Sequence, residues 1–254
     1  MDLLIADIVE RFYMLLWPMI RISAFLLSAP FFSIRAVSVR IRVLLAILLT
    51  IYPLSDWPAL DPLSASGIRE VFLQVFIGVL MGLLLQVVNA ALVIGGQAIS
   101  ASMGLSMANM VDPNIGNVPV LAQFLIICST LIFLGLGGHV LVISLLLESF
   151  QILPIGEMVE IQALASLTIQ WSGMMFLGAI LIGLPLMVSL LFINIGLGVI
   201  TRAAPALNIF AVGFPAMILA GMVLLSLSMT SIGFRIQWLW QQSFDVMGQA
   251  LGLQ

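Results

Sequence analysis

Polar positions along this chain are so sparse that charges, rather than alternation, mark out its elements. No charged residue occurs between Glu70 and Asp112, between Glu160 and Arg202, or between Arg202 and Arg235. A membrane crossing needs about 20 apolar residues, so each of the first two runs is long enough for two crossings or one long tilted helix. Leu3 to Phe32 reads as a helix carrying Asp7, Glu10, Arg11 and Arg21. Its first half therefore cannot face lipid on all sides, and it is expected to be partly buried in protein or to lie at an interface. Pro30 and the segment Ser33 to Arg42 break that helix. A helix from Val43 to about Tyr52 follows, then a loop from Pro53 to Pro62 that holds three prolines and two aspartates.

Val71 to Val111 contains no proline, and small residues recur in it at helical spacing. Gly78 and Gly82 form one pair, and Gly96, Ser100, Gly104 and Ala108 form a stripe at i+4. Small side chains let helix backbones approach closely, which predicts helix packing, within the chain or against another subunit. The segment Asp112-Pro-Asn-Ile-Gly-Asn-Val-Pro119 then interrupts the apolar sequence. It reads as a surface turn, or as irregular backbone beside a water-accessible path, since such backbone survives at membrane depth only within protein.

Pro119 to Phe133 and Val140 to Phe150 read as apolar helices around the glycine hinge Gly135-Leu-Gly-Gly-His139. Ile161 to Ile200 carries Pro185 in its middle, a position that kinks or splits a helix. A turn at Thr201 to Asn208 leads into a helix from about Ile209 to Ile232. The mixed C-terminal stretch follows, and its Trp238 and Trp240 suit a membrane-interface anchor.

Composition fixes the class. Of 254 residues, 63% are hydrophobic and 7% charged, and the mean hydropathy is +1.27. A soluble domain would carry about 25% charged residues. The expected class is an all-α polytopic membrane protein of long kinked helices and hairpins. All 8 basic residues are arginine against 11 carboxylates, which argues against a nucleic-acid partner. No cleavable leader is evident, because Asp2, Asp7 and Glu10 occupy the place of a positive n-region. The densest basic cluster, Arg35, Arg40 and Arg42, and the Arg202 turn are expected on the cytoplasmic side.

Catalytic chemistry finds little support. Lysine is absent, so a P-loop lysine or a Schiff base is excluded. The single histidine, His139, has no partner spaced for a zinc site, and Cys128 reads as an inert buried thiol. No cofactor and no metal are expected, and the chain is not expected to be an enzyme. Asp112, His139 and Glu148 make a thin set for a stand-alone transporter or permease, which stays open as the alternative. Met103, Met107 and Met110 fall on one helical face just before the polar insertion, where flexible thioethers could fill core or seal against a changing surface.

Several patches together resemble one family. Gly95-Gly-Gln-Ala-Ile-Ser-Ala-Ser-Met-Gly104, Asp112-Pro113, Pro119, Phe133, Gly138-His139, Ser149-Phe150 and Pro154 are similar to the middle of the FliR proteins, export-gate subunits of flagellar type III secretion. Arg202-Ala-Ala-Pro-Ala-Leu-Asn208 and Gly213-Phe-Pro215 resemble the family's C-terminal pattern. The likeness covers about Arg11 to Phe234. Ala206 stands where the family usually has glutamine, and a lysine often found after the Gly213-Phe-Pro215 segment is missing. Injectisomes have a homologous subunit.

The resemblance implies a subunit that assembles with FliP-like and FliQ-like membrane subunits, and with an FlhB-like component, into an export pore. Its substrates would be unfolded flagellar proteins. It implies a location in the bacterial inner membrane at the flagellar basal body, in contact with lipid. Residues 1–185 would correspond to a FliP-like region and 186–254 to a FliQ-like hairpin. An internal loop would plug the closed pore, with Met103, Met107, Met110, Asp112, Pro113, Asn114, Gly116, Asn117 and Pro119 as plug and gasket. The turn of Arg202, Pro205 and Asn208 would face the cytoplasmic export machinery.

Overall fold

The computed structural model describes residues 2–32, 37–51, 60–105, 120–157, 161–203 and 209–252. Among these, every regular element is an α-helix: α1 (Asp2–Ser28), α2 (Val39–Ile51), α3 (Ala65–Ser102), α4 (Val120–Gly135), α5 (Gly138–Ile152), α6 (Ile161–Ser172), α7 (Met174–Ala203) and α8 (Ile209–Ala250). Ala65–Ser102, Ile161–Ala203 and Gly213–Ala250 are each long and apolar enough to cross a membrane, and α4 with α5, bent by 69°, qualifies as a broken span or a re-entrant loop. The protein is an all-α polytopic membrane protein.

Local chemistry sets the helix limits. The Ser64 hydroxyl accepts the Gly67 N–H at 3.0 Å, an N-cap that starts α3. Gly104 ends it with φ +78°, a left-handed backbone that glycine adopts without steric cost. Gly137, with φ +69°, separates α4 from α5. The 43-residue apolar run Ile161–Ala203 is interrupted not at Pro185, as its place in the sequence suggests, but at Gly173. The Gly173 carbonyl accepts the first helical bonds of α7, from Phe176 and Leu177, while Pro185 lies inside α7. Proline removes one backbone bond, which the remainder of a 30-residue helix tolerates.

Two compact units divide the chain. The first comprises Met1–Val87, Gly137–Ser172 and Gln242–Gln254, and the second Val88–Leu136 and Gly173–Gln241. The first unit has a core of Trp17, Phe25, Met81, Leu84, Leu146 and Phe150, all essentially inaccessible. In it α1 and α3 run parallel. Arg21 meets Gln74, a Cβ on Gly78 would lie 2.9 Å from that of Ala24, and one on Gly82 would lie 2.9 Å from the Ala29 nitrogen. Each four-residue step along α3 is matched by one along α1.

The second unit is centred on Leu92, Ile99, Met103, Phe133, Leu190 and Trp240. Trp240 is not the interface anchor its sequence context suggests. It is completely buried, donates from Nε1 to the Ser129 hydroxyl at 2.8 Å, and meets Phe133 edge-on at 5.0 Å. Helix α8 accordingly runs on to Ala250 instead of ending near Ile232.

Candidate functional site

The polar insertion expected to form the plug has described residues at its two flanks only. Met107, Ala108, Met110, Asp112, Pro113, Asn114, Gly116, Asn117 and Pro119 lie outside the described residues, as do Pro205 and Asn208. The flanks themselves are seated in the second unit. Met103 is completely buried and fills the space beside Gly221 of α8, where a Cβ would fall 2.6 Å from its Cγ. A Cβ on Gly104 would touch the Phe214 ring at 3.4 Å. On the return side, one on Gly96 would lie 2.5 Å from the Ala122 Cα and 2.7 Å from its nitrogen. Helices α3 and α4, which flank the insertion in sequence, therefore meet backbone to backbone at Gly96 and Ala122.

The small-residue positions divide accordingly. Gly78 and Gly82 face α1 and Gly96 faces α4, while Ser100 is half-buried. Gly104 departs from the expected stripe. Helix α3 stops at Ser102, so Gly104 sits in a turn and its spacing from Ser100 is no longer helical.

A buried polar cluster in the first unit was not anticipated as a group. Arg21 is completely inaccessible. Its Nε donates to Gln74 Oε1 at 2.6 Å, Nη1 to the Ser149 carbonyl at 2.9 Å and hydroxyl at 3.1 Å, and Nη2 to the Leu153 carbonyl at 2.6 Å. The guanidinium also lies over the Phe150 ring, 4.3 Å from its centre. Gln74 Nε2 in turn donates to Glu70 Oε1 at 2.6 Å, which also accepts the Gly156 N–H at 3.1 Å. One arginine thus ties α1 to α3 and to the C-terminal end of α5, where it bonds the Leu153 carbonyl and shares the Ser149 carbonyl with the Leu153 N–H. The charges stay apart, bridged by the Gln74 amide. The signal available in the sequence was the pairing of Glu70 with Gln74, and of Trp17 with Arg21, four residues apart.

The remaining candidates are not gathered. His139 and Glu148 are both exposed on α5, and Arg202 is exposed at the end of α7. Cys128 is partly exposed, not buried. Among the described residues no group of three or more His, Cys, Asp or Glu could hold a metal ion.

Residues 12–243 match the family described as bacterial export proteins, family 1. The chain belongs to this family. Its relatives are similar over nearly their whole length. The flagellar biosynthetic protein FliR of Pectobacterium carotovorum subsp. carotovorum is 35% identical over 251 residues, covering 96% of this chain and 95% of the relative. The FliR protein of Escherichia coli K12 is 34% identical, covering 92% and 91%, and that of Bacillus subtilis 168 is 28% identical, covering 97% and 98%. Within this FliR-family fold, the patches Gly95 to Gly104 and Gly213 to Pro215 occupy one unit. There Gly104 meets Phe214.

Proposed function

We propose that this chain is a non-enzymatic subunit of the flagellar protein export gate. It joins FliP-like and FliQ-like membrane subunits, and an FlhB-like component, in a pore for unfolded flagellar substrates in the bacterial inner membrane at the basal body. The polar insertion Met110 to Pro119 plugs the closed pore, and the methionine stripe before it helps to seal the channel. In this reading residues 1–185 play the FliP-like part and 186–254 the FliQ-like part, and the Arg202 turn faces the export machinery.

The observation that carries the plug reading is the seating of both flanks of the polar segment. A loop that must close a pore and reopen needs rigid attachment at its ends. Met103 locked beside Gly221, and Gly96 against the Ala122 backbone, supply that attachment. A wide apolar surface also favours a subunit embedded among lipid and other chains. Along α7 alone, Phe176, Ile180, Leu191, Phe192, Ile195 and Val199 are exposed, a surface no water-soluble protein would leave bare. The transporter alternative has less to rest on, since His139 and Glu148 lie exposed rather than around a common site.

Deletion of Asn114 to Val118 tests the plug. Cells carrying the variant gate are expected to leak small ions across the inner membrane while the assembly still forms. Unchanged ion permeability in an intact assembly would remove the plug from the account.

A further inference from the structure

In the first unit, Trp17 Nε1 and Glu70 Oε2 are buried polar atoms with no hydrogen-bond partner among the described residues. Trp17 is 0% exposed and Glu70 1%, so bulk water reaches neither. An unmade hydrogen bond at a buried donor or acceptor is costly, and native interiors rarely leave one. One of the two atoms is a donor and the other an acceptor.

The helix register sets the two residues on facing turns of α1 and α3. Parallel packing of α1 on α3 pairs Arg21 with Gln74, Ala24 and Phe25 with Gly78, and Ser28 and Ala29 with Gly82. One turn toward the N-termini, the same offset sets Trp17 opposite Glu70. Trp17 precedes Arg21 by four residues, and Glu70 precedes Gln74 by four, so both pairs lie on the facing sides of their helices.

We infer that Trp17 and Glu70 hold one internal water molecule, which accepts the indole N–H and donates to Glu70 Oε2. The ligand must both accept and donate, which excludes an apolar filler. It must also be neutral, because the Arg21 guanidinium and the Glu70 carboxylate already balance within the cluster. Glu10 and Arg11 on the Trp17 side, and Asp61, Arg69 and Glu157 on the Glu70 side, are exposed to solvent and bring no uncompensated charge inside. Water meets both demands, and buried waters of this kind typically satisfy otherwise unpaired groups. The molecule extends the chain Arg21, Gln74, Glu70 to Trp17, and so staples α1 to α3 on two successive turns. It also fixes the carboxylate so that Oε1 stays aimed at Gln74 and Gly156.

The direct test is a density map of the complete assembly at a resolution that shows ordered water. A single peak about 2.7–3.2 Å from both Trp17 Nε1 and Glu70 Oε2 supports the site. An indole bonded straight to the carboxylate, or a dry gap between them, overturns it. A second measurement does not depend on the map. Trp17→Phe keeps the ring bulk and Glu70→Gln keeps the shape, and a shared water makes their effects overlap. The double variant should then lose no more melting temperature than the worse single variant, whereas simple addition of the two losses counts against a shared molecule.

Discussion

Replacing Gly96 by alanine is expected to destabilise the protein, although alanine is the better helix former by about 1 kcal/mol. The new Cβ would stand 2.5 Å from the Ala122 Cα and 2.7 Å from its backbone nitrogen. Carbon atoms pack at about 3.5–4.0 Å, so α3 and α4 must separate by about 1 Å. No rotamer change relieves the overlap, because the obstacle is backbone. Overpacking of this kind costs about 1–3 kcal/mol, and a backbone obstacle belongs at the upper end. After the propensity gain of about 1 kcal/mol is deducted, the net loss is about 2 kcal/mol. For a chain of this size that corresponds to a fall of about 4–8 °C in melting temperature. The assay is the fraction of detergent-extracted protein that stays monodisperse after heating. Gly233→Ala is the matched control, since a Cβ there meets nothing within 4 Å in this chain. A Gly96→Ala protein as stable as the parent would refute the close approach of α3 and α4.

Other consequences are equally specific. Arg21→Met should cost about 3–5 kcal/mol, as breaking a buried charged cluster by removing one member does. Adding Glu70→Gln should restore part of that loss in the same thermal assay, because the abandoned carboxylate is then neutral. Trp240→Phe keeps the ring packing on Phe133 and removes only the bond to Ser129, so a loss of about 1 kcal/mol is expected. His139→Ala and Glu148→Gln, on exposed positions of α5, should leave swimming motility intact in a complemented deletion strain, whereas a transporter built on them would lose activity outright.

Much of the fold was legible because apolar helices need little more than length and punctuation. Glycine and proline placed the limits of α1, α4 and α5 to within a few residues. The misreadings have physical causes. Spacing at i+4 cannot reveal the sign of φ, so Gly104 resembled a helical stripe position until its left-handed backbone ended α3. A tryptophan in a mixed stretch suits an interface and a core equally well, and Trp240 was decided by Ser129, more than 100 residues away in sequence. The split in the long run after Glu160 falls at Gly173 and not at Pro185, which lies inside α7. A long helix absorbs one missing bond, whereas Gly173 offers a free carbonyl as a new start. Arg21 was legible only as one of four charges in the helix from Leu3 to Phe32. Its partners Gln74 and Ser149 were not legible, because uncharged polar residues in apolar helices carry no sign of which neighbour they meet.

In the proposed function this chain works only as part of a multi-subunit gate. The measurement that bears on it most directly is the native mass of the tagged protein after gentle detergent extraction, with the co-purifying chains identified. A large, defined particle containing FliP-like and FliQ-like subunits is the predicted result. A species near this chain's own 27.4 kDa, allowing for bound detergent, that transports a small solute in liposomes without partners would contradict it.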